Sequence, residues 1–252
     1  SFGAGDDLVS ASKPYIYEED AKKFIALSFG WDVIGCKYAT TFNKGVNPMD
    51  YKHIFKEVEK AKNDYTGVDI ILIFHNNYEF ELYPQPAHRQ MFFDLIDFGV
   101  SAIFCHHPHI VGGCEVYKDS LIFYSLGNFY LPETNYNGYD LKYNDNAKIG
   151  LCVDLKKKID DIKLYWTYKD DENILSIQHE EFLKDSDRLK KLTPFDGLSH
   201  DEYIQWFKKN RKKNKLLPIY KNYKSEFENT FNGVVVKYRQ ILIDTLVRIG
   251  AK

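Results

Sequence analysis

Short apolar runs that alternate with segments of helical period are the feature that most constrains this chain. Residues 22–30, 69–75 and 100–105 are runs of mostly apolar side chains. Such runs are typical of strands covered on both faces of a sheet. Residues 50–64 and 86–98 lie between the runs and repeat their apolar side chains at helical spacing. The alternation predicts an α/β layer built around a partly parallel sheet.

The second half of the chain has a different pattern, in which shorter β-rich segments precede charged helical ones. Lys118-Asp119-Ser120 predicts a tight hairpin turn. Ser199 precedes Glu202 by three residues, which is a capping-box spacing that predicts the start of a helix. From about residue 180 the chain is expected to be helical. The other predicted segments are short strands at 115–118, 121–125, 148–155 and 159–168, a polar loop near the site at 132–147, and a last helix over about 219–249.

Composition excludes some function classes. The 252-residue chain has a formal net charge of −2, which gives no electrostatic case for nucleic acid as a partner. No apolar run approaches the roughly 18 residues of a membrane-spanning helix, and no signal peptide opens the chain. We therefore expect a cytoplasmic or membrane-associated protein. Since the chain starts at Ser1 and its first segment resembles the middle of a domain, we also expect an N-terminal part to precede it.

The four cysteines form no C-x-x-C pair and are expected to be free thiols.

Histidines cluster where two of the predicted strands end. His75 ends the run 69–75, and His106-His107-Pro108-His109 follows the run 100–105. Because ligands of open α/β sheets bind beyond the carboxyl ends of the strands, neighbouring parallel strands would bring these imidazoles to one edge. A lone histidine is more often a polar side chain hydrogen-bonded within the protein than a metal ligand. The clustering favours a metal site, since neutral imidazole binds zinc, iron and manganese.

Two further polar residues near the strand ends leave alternatives open. Glu79 follows His75 by four residues and is interpreted as a partner that orients an imidazole, as a general acid or base, or as a surface glutamate. Asn128 follows a strand and a glycine turn. Its amide either lines the pocket or caps a helix.

Three motifs in this order resemble those of the bacterial capsule synthesis CapA family, to which poly-γ-glutamate synthesis proteins belong. The family pattern reads H-W-G-x-E-Y, G-H-H-P-H and Y-S-L-G-N-F. The matching segments here are 75–80 with Pro84 and Arg89 beyond it, 105–109, and 124–129. The resemblance covers about residues 1–170, which leaves 171–252 as a mainly helical C-terminal extension.

The resemblance implies a fold related to calcineurin-like metallophosphatases, a layered β-sandwich flanked by helices. Such folds hold two divalent metal ions, so a dinuclear centre of Mn, Fe or Zn is implied. The residues implied as metal ligands are His75, His107 and His109, with His106 as a neighbour or alternate ligand. The candidate catalytic residues are His75, Glu79 and His106. The candidate substrate-binding residues are Asn128, Arg89 and Tyr124.

At four positions this chain departs from the family pattern. Asn76 and Asn77 stand in place of Trp-Gly, Cys105 stands in place of Gly, and His88 occupies a position where Gln is common. Residues bulkier than glycine at 77 and 105 are expected to narrow the site.

Three functions follow from these motifs. The first is a metal-dependent hydrolase or transfer enzyme that makes capsule or exopolymer of the poly-γ-glutamate type, with an anionic polymer or its precursor as partner. The second is a non-catalytic scaffold for a membrane-bound synthase. The synthase would dock on the helical tail and on the basic run 208–215. The plainer interpretation of the basic run is the solvent-exposed end of a helix. The third is a phosphoesterase outside polymer metabolism.

Overall fold

The computed structural model describes residues 2–19, 22–136, 139–141, 143–212 and 217–248. The strands among them are β1 (Ala4–Gly5), β2 (Tyr15–Glu19), β3 (Lys22–Gly30), β4 (Gly45–Val46), β5 (Asp69–His75), β6 (Ala102–His106), β7 (Cys114–Tyr117), β8 (Ser120–Phe123), β9 (Thr134–Tyr136), β10 (Tyr139–Leu141), β11 (Ile149–Asp154), β12 (Lys163–Lys169) and β13 (Leu175–Phe182). The helices are α1 (Leu8–Ala11), α2 (Tyr51–Asp64), α3 (Pro86–Asp97), α4 (Asp187–Leu192), α5 (His200–Asn210) and α6 (Glu226–Arg248). Residues 213–215 of the basic run and residue 249 of the last predicted helix lie outside the described residues.

Local side-chain chemistry explains where several elements begin. The Asp50 side chain accepts a hydrogen bond from the His53 amide and so caps α2. At α5 the predicted capping box is present, with Ser199 and Glu202 each bonded to the other's backbone. Lys118 and Asp119 adopt φ angles of 48° and 63° between β7 and β8, which suits a two-residue hairpin turn.

A six-stranded sheet forms the centre of the protein, with strand order β2-β3-β5-β6-β8-β7. The four inner strands run parallel, and β2 and β7 pair antiparallel at the two edges. The register places Gly30 opposite His75 and His75 opposite His106. The carboxyl ends of β3, β5 and β6 therefore finish at the same level of the sheet.

Each face of this sheet is covered by a different layer. One face packs Phe29, Leu72 and Ile103 against the helices and against C-terminal aromatic residues such as Phe207. The other face packs against a three-stranded antiparallel sheet of order β11-β12-β13, with Trp166 at the contact. This layered arrangement of two sheets and flanking helices confirms the predicted α/β class.

Strand β13 was not predicted, because it lies in the segment 171–252 that was expected to be mainly helical. It pairs with β12 at the sheet edge, and most of its side chains are exposed. An edge strand with polar side chains lacks the apolar run that marks an inner strand. The domain boundary at residue 170 stays a prediction, although β13 extends the small sheet past that point. No helix among the described residues has both the length and the apolar character needed to cross a membrane.

A buried ion pair joins the main sheet to the C-terminal segment. The Arg89 guanidinium donates two hydrogen bonds to the Glu115 carboxylate, at 2.7 and 2.6 Å, and a third to the Leu198 carbonyl at 3.0 Å. The Tyr124 hydroxyl donates to the same carboxylate. The Arg89 side chain also lies over the Tyr203 ring, 4.7 Å from its centre. One satisfied charge cluster thus ties α3, β7 and the segment before α5 together.

Single and paired substitutions test this cluster. Arg89→Met or Glu115→Gln leaves a buried polar partner uncompensated and should lower the free energy of unfolding by about 3–5 kcal/mol. The double variant Arg89→Met/Glu115→Leu removes both charges and should recover part of that loss, because the Tyr124 hydroxyl and the Leu198 carbonyl still lose their partners. Urea unfolding measures both effects. Lys118→Met, which breaks an exposed pair with Asp97, is the control and should cost no more than about 1 kcal/mol. If a single variant lowers the free energy of unfolding no more than the control does, the cluster does not stabilise the fold as described.

Candidate functional site

Two loops at the carboxyl ends of β5 and β6 form the candidate site. They are clamped together by backbone hydrogen bonds, from the Asn76 amide to the His106 carbonyl at 3.0 Å and from the Phe80 amide to the Pro108 carbonyl at 2.8 Å. The clamps hold the loop that carries Glu79 against the loop that carries His107. The level ends of the parallel strands place both loops on one edge of the sheet.

Unusual backbone conformations are concentrated in these two loops. Asn77, Phe80, His107 and His109 have φ angles of 74°, 57°, 98° and 60°. Positive φ is uncommon for residues other than glycine and costs on the order of 1–3 kcal/mol each. Strain of this kind accumulates where side chains must be aimed at a ligand, which supports a functional role for this edge.

His75 and His107 are in direct contact. Nδ1 of His107 lies 3.1 Å from Nε2 of His75, and the ring centres are 4.8 Å apart. The next ring, His109, has its centre 5.7 Å from that of His107. Nδ1 of His109 instead lies 2.9 Å from Oδ1 of Asn128. The structure therefore brings the three predicted metal ligands to one edge, with two of them sharing a contact.

The surroundings of His75, His106 and His107 favour the neutral form of these three rings at physiological pH. Burial, together with nearby His75 and His109, lowers the pKa of His107 to about 3. Desolvation and the proximity of His109 lower the pKa of His75, and burial and His75 lower that of His106. A neutral imidazole keeps a lone pair on one ring nitrogen, which is the form that binds metal.

The contacting nitrogens fit a pair of ligands to one ion. Metal–nitrogen bonds of about 2.0–2.1 Å separate two ligands by about 2.9 Å at a right angle and about 3.4 Å at a tetrahedral angle. The 3.1 Å separation of His75 and His107 lies between these values. Within the described ranges, however, no group of three or more His, Cys, Asp or Glu side chains is placed to hold a metal ion. The full set of three histidine ligands therefore stays a prediction, and the fit rests on the pair.

A large cleft opens beside the histidine pair. It has a volume of about 1550 Å³, and His107 and Glu79 both line it. Trp31 and Tyr220 line the same cleft, and α6 forms one wall. Sequence patterns gave no signal for these wall residues, because they come from distant segments that meet only in the fold.

Two residues predicted to bind substrate are buried instead. Arg89 is 2% exposed and Tyr124 is 3% exposed, and both are bonded to Glu115. Neither side chain reaches the cleft surface in this structure. The family motif therefore carries core residues as well as candidate site residues.

The residues larger than glycine do not narrow the site as expected. The Cys105 side chain packs in the core behind the strand end, 1% exposed. Asn77 donates to the Tyr83 carbonyl at 3.0 Å, and its φ of 74° is one that asparagine tolerates better than most residues. Asn76 and His88 form a buried contact of 3.1 Å between Nδ2 and Nδ1. The departures at 76, 77 and 105 are thus accommodated behind the strand ends, whereas His88 also lines the cleft.

Comparison with known proteins identifies the relatives of this chain. A family model described as bacterial capsule synthesis protein PGA_cap matches residues 1–133. The capsule biosynthesis protein CapA of Bacillus anthracis is 29% identical, and the PGA biosynthesis protein CapA of Bacillus subtilis (strain 168) is 35% identical, each over 129 residues and 50% of this chain. These matches cover 31% and 33% of the relatives, so the chain spans about a third of their length.

A solved structure of low similarity was also found. The NAD nucleotidase NadN of Haemophilus influenzae matches 78% of this chain and 41% of its own, at 12% sequence identity and a TM-score of 0.28. A TM-score of this size does not establish a shared fold.

The pH dependence of stability tests the buried position of His88. Burial lowers the pKa of His88 to about 3, whereas an unfolded histidine titrates near about 6.5. Between these values the unfolded state binds more protons, so stability falls as the pH falls. From pH 7 to pH 5 this group should lower the free energy of unfolding by about 2 kcal/mol. His88→Gln should therefore lose about 2 kcal/mol less than the unsubstituted chain over that range in urea unfolding. Equal losses would show that the ring is not buried.

Proposed function

Because the chain belongs to the bacterial capsule synthesis protein PGA_cap family, we propose that it is a metal-dependent hydrolase or transfer enzyme of capsule or exopolymer biosynthesis. The observation that carries this proposal is the 3.1 Å contact between ring nitrogens of His75 and His107 beside a large cleft. The names of the two relatives support capsule and PGA biosynthesis as the setting.

His75 and His107 are the residues that would hold a divalent ion, with His109 beside them. Their lowered pKa values keep both rings neutral, so each ring has one nitrogen whose lone pair can bind an ion. A bound ion would supply Lewis-acid polarisation of a phosphoryl or carbonyl group. The dinuclear centre of Mn, Fe or Zn is part of this proposal.

Glu79 is proposed as the proton carrier of the site. Its side chain is exposed in the loop after β5 and lines the same cleft as His107. A carboxylate in that position can take a proton from an attacking group and return it to a leaving group. His106, at the end of β6 and opposite His75 in the register, is partly buried and is proposed as an alternate ligand or a neighbour in proton transfer.

The size of the cleft supports a polymer segment as substrate. Sites for small molecules are usually about 300–1,000 Å³, and this cleft has about 1550 Å³. An anionic polymer or its precursor is the proposed ligand, for which Lys237 and Arg239 of α6 offer positive charge. The same lining also carries acidic side chains, so the overall charge of the cleft does not select this ligand; the acidic residues are Asp32, Asp50, Glu79 and Glu226.

Metal analysis of histidine variants tests the proposal. His75→Ala and His107→Ala should each lower the affinity for Zn²⁺ or Mn²⁺ at least about 10-fold, because each removes one ligand. Equilibrium dialysis with elemental analysis measures the bound metal, and the yield of capsule polymer in the producing cell measures function. His179→Ala is the matched control, since His179 is exposed on β13. Metal content and polymer yield that both survive His107→Ala would refute the proposal.

Glu79→Gln separates proton transfer from metal binding. The substitution keeps the shape of the side chain and removes its basicity. Metal affinity should stay unchanged, while turnover of polymer fragments should fall about 10²–10⁴-fold. Unchanged turnover would remove Glu79 from the mechanism.

A second function, a scaffold for a membrane-bound synthase, is favoured by one observation. Helix α6 exposes large apolar side chains, with Phe227 86% exposed and Tyr238 68% exposed. Capture of a polymer synthase that survives His75→Ala and is lost in Phe227→Ser/Tyr238→Ser would support the scaffold over the enzyme. Loss of capture in His75→Ala would count against it.

A further inference from the structure

The side-chain amide of Asn128 has a fixed orientation. Its Nδ2 donates to the His109 carbonyl at 3.1 Å and to the Ala147 carbonyl at 2.8 Å. A carbonyl oxygen only accepts, so the nitrogen of the amide must face these two groups. Oδ1 then faces the ring of His109, 2.9 Å from Nδ1.

This orientation determines the tautomer of His109. Oδ1 of an amide has no hydrogen to donate, so the 2.9 Å contact is a hydrogen bond only when Nδ1 of His109 carries the proton. In the neutral ring the lone pair must then lie on Nε2. Both hydrogens of the Asn128 amide are already committed to backbone carbonyls, so they are not available to a substrate.

The backbone around Asn128 holds the amide in place. Gly127 adopts a φ of 68° and pairs with Gly150 in an antiparallel bridge. The backbone at Gly150 lies so close to that at Asn128 that a Cβ added to Gly150 would lie 2.3 Å from the Asn128 carbonyl oxygen. The Leu151 amide also donates to the Leu126 carbonyl at 2.9 Å. The first strand of the small sheet therefore supports the loop that aims the amide at His109.

We propose that Asn128 is a positioning residue, which holds His109 with its proton on Nδ1 and its Nε2 lone pair open for a divalent ion. This assignment replaces the expected contact between Asn128 and substrate. It rests on the proposed function only in identifying a divalent ion as the species that Nε2 would bind. Partners that fix the tautomer of a ligating histidine commonly change metal affinity about 10–100-fold when they are removed.

The tautomer can be measured without any metal. Long-range ¹H–¹⁵N correlation spectra of the metal-free chain, recorded well above the usual histidine pKa of about 6.5, distinguish a protonated Nδ1 from a protonated Nε2. The His109 signals, assigned with His109→Gln, should show a protonated Nδ1. In Asn128→Leu this signature should be lost. A protonated Nε2 in the unsubstituted chain would overturn the proposal.

Titration with Zn²⁺ measures the consequence for binding. Asn128→Leu should weaken the affinity about 10–100-fold. Asn128→Asp keeps an acceptor for Nδ1–H but loses both backbone donors, so it should be less stable yet keep an affinity within a few-fold of the original. Asn144→Ala is the matched control, because Asn144 caps the turn at Ala147 and does not contact His109. If Asn128→Asp and Asn128→Leu lose affinity equally, the role is only structural and the proposal fails.

The two measurements separate this proposal from the proposed function. A chain that shows a protonated Nδ1 on His109 but binds no Zn²⁺ refutes the metal-dependent function and supports the tautomer assignment. A chain that binds Zn²⁺ equally well with leucine at position 128 keeps the metal function and overturns the positioning role.

Discussion

The register of three parallel strands is the constraint on which the rest of the site depends. Gly30, His75 and His106 are aligned partners across β3, β5 and β6, so these strands end level. Two loops that are distant in sequence thereby start from neighbouring points. A shift of β6 by one residue against β5 would turn its side chains to the other face, and His107 would no longer meet His75.

Strain in the loops is offset by hydrogen bonds and by packing below them. His107 and His109 hold positive φ angles on either side of Pro108, whose carbonyl accepts from the Phe80 amide. Asn128 ties His109 to the loop before β11. Farther from the cleft, the Arg89–Glu115 pair fixes α3 and the C-terminal segment against the sheet. The site thus has a hydrogen-bonded and packed base and is open toward the cleft.

The main strands, the helices and the histidine cluster could be predicted from sequence because each has a local signature. Apolar runs predicted β5 and β6, and the spacing of Ser199 and Glu202 predicted the start of α5. Strand β13 could not be predicted, since an exposed edge strand has no apolar run. The roles of Arg89 and Asn128 depend on which atoms face them across the fold, and motif spacing carries no such information.

Anomalous diffraction from crystals soaked with Zn²⁺, recorded on both sides of the zinc absorption edge, tests the central claim most directly. The account predicts a peak within bonding distance of both Nε2 of His75 and Nδ1 of His107. A well-ordered site edge with no peak at saturating metal, or a peak that touches neither ring, would contradict it.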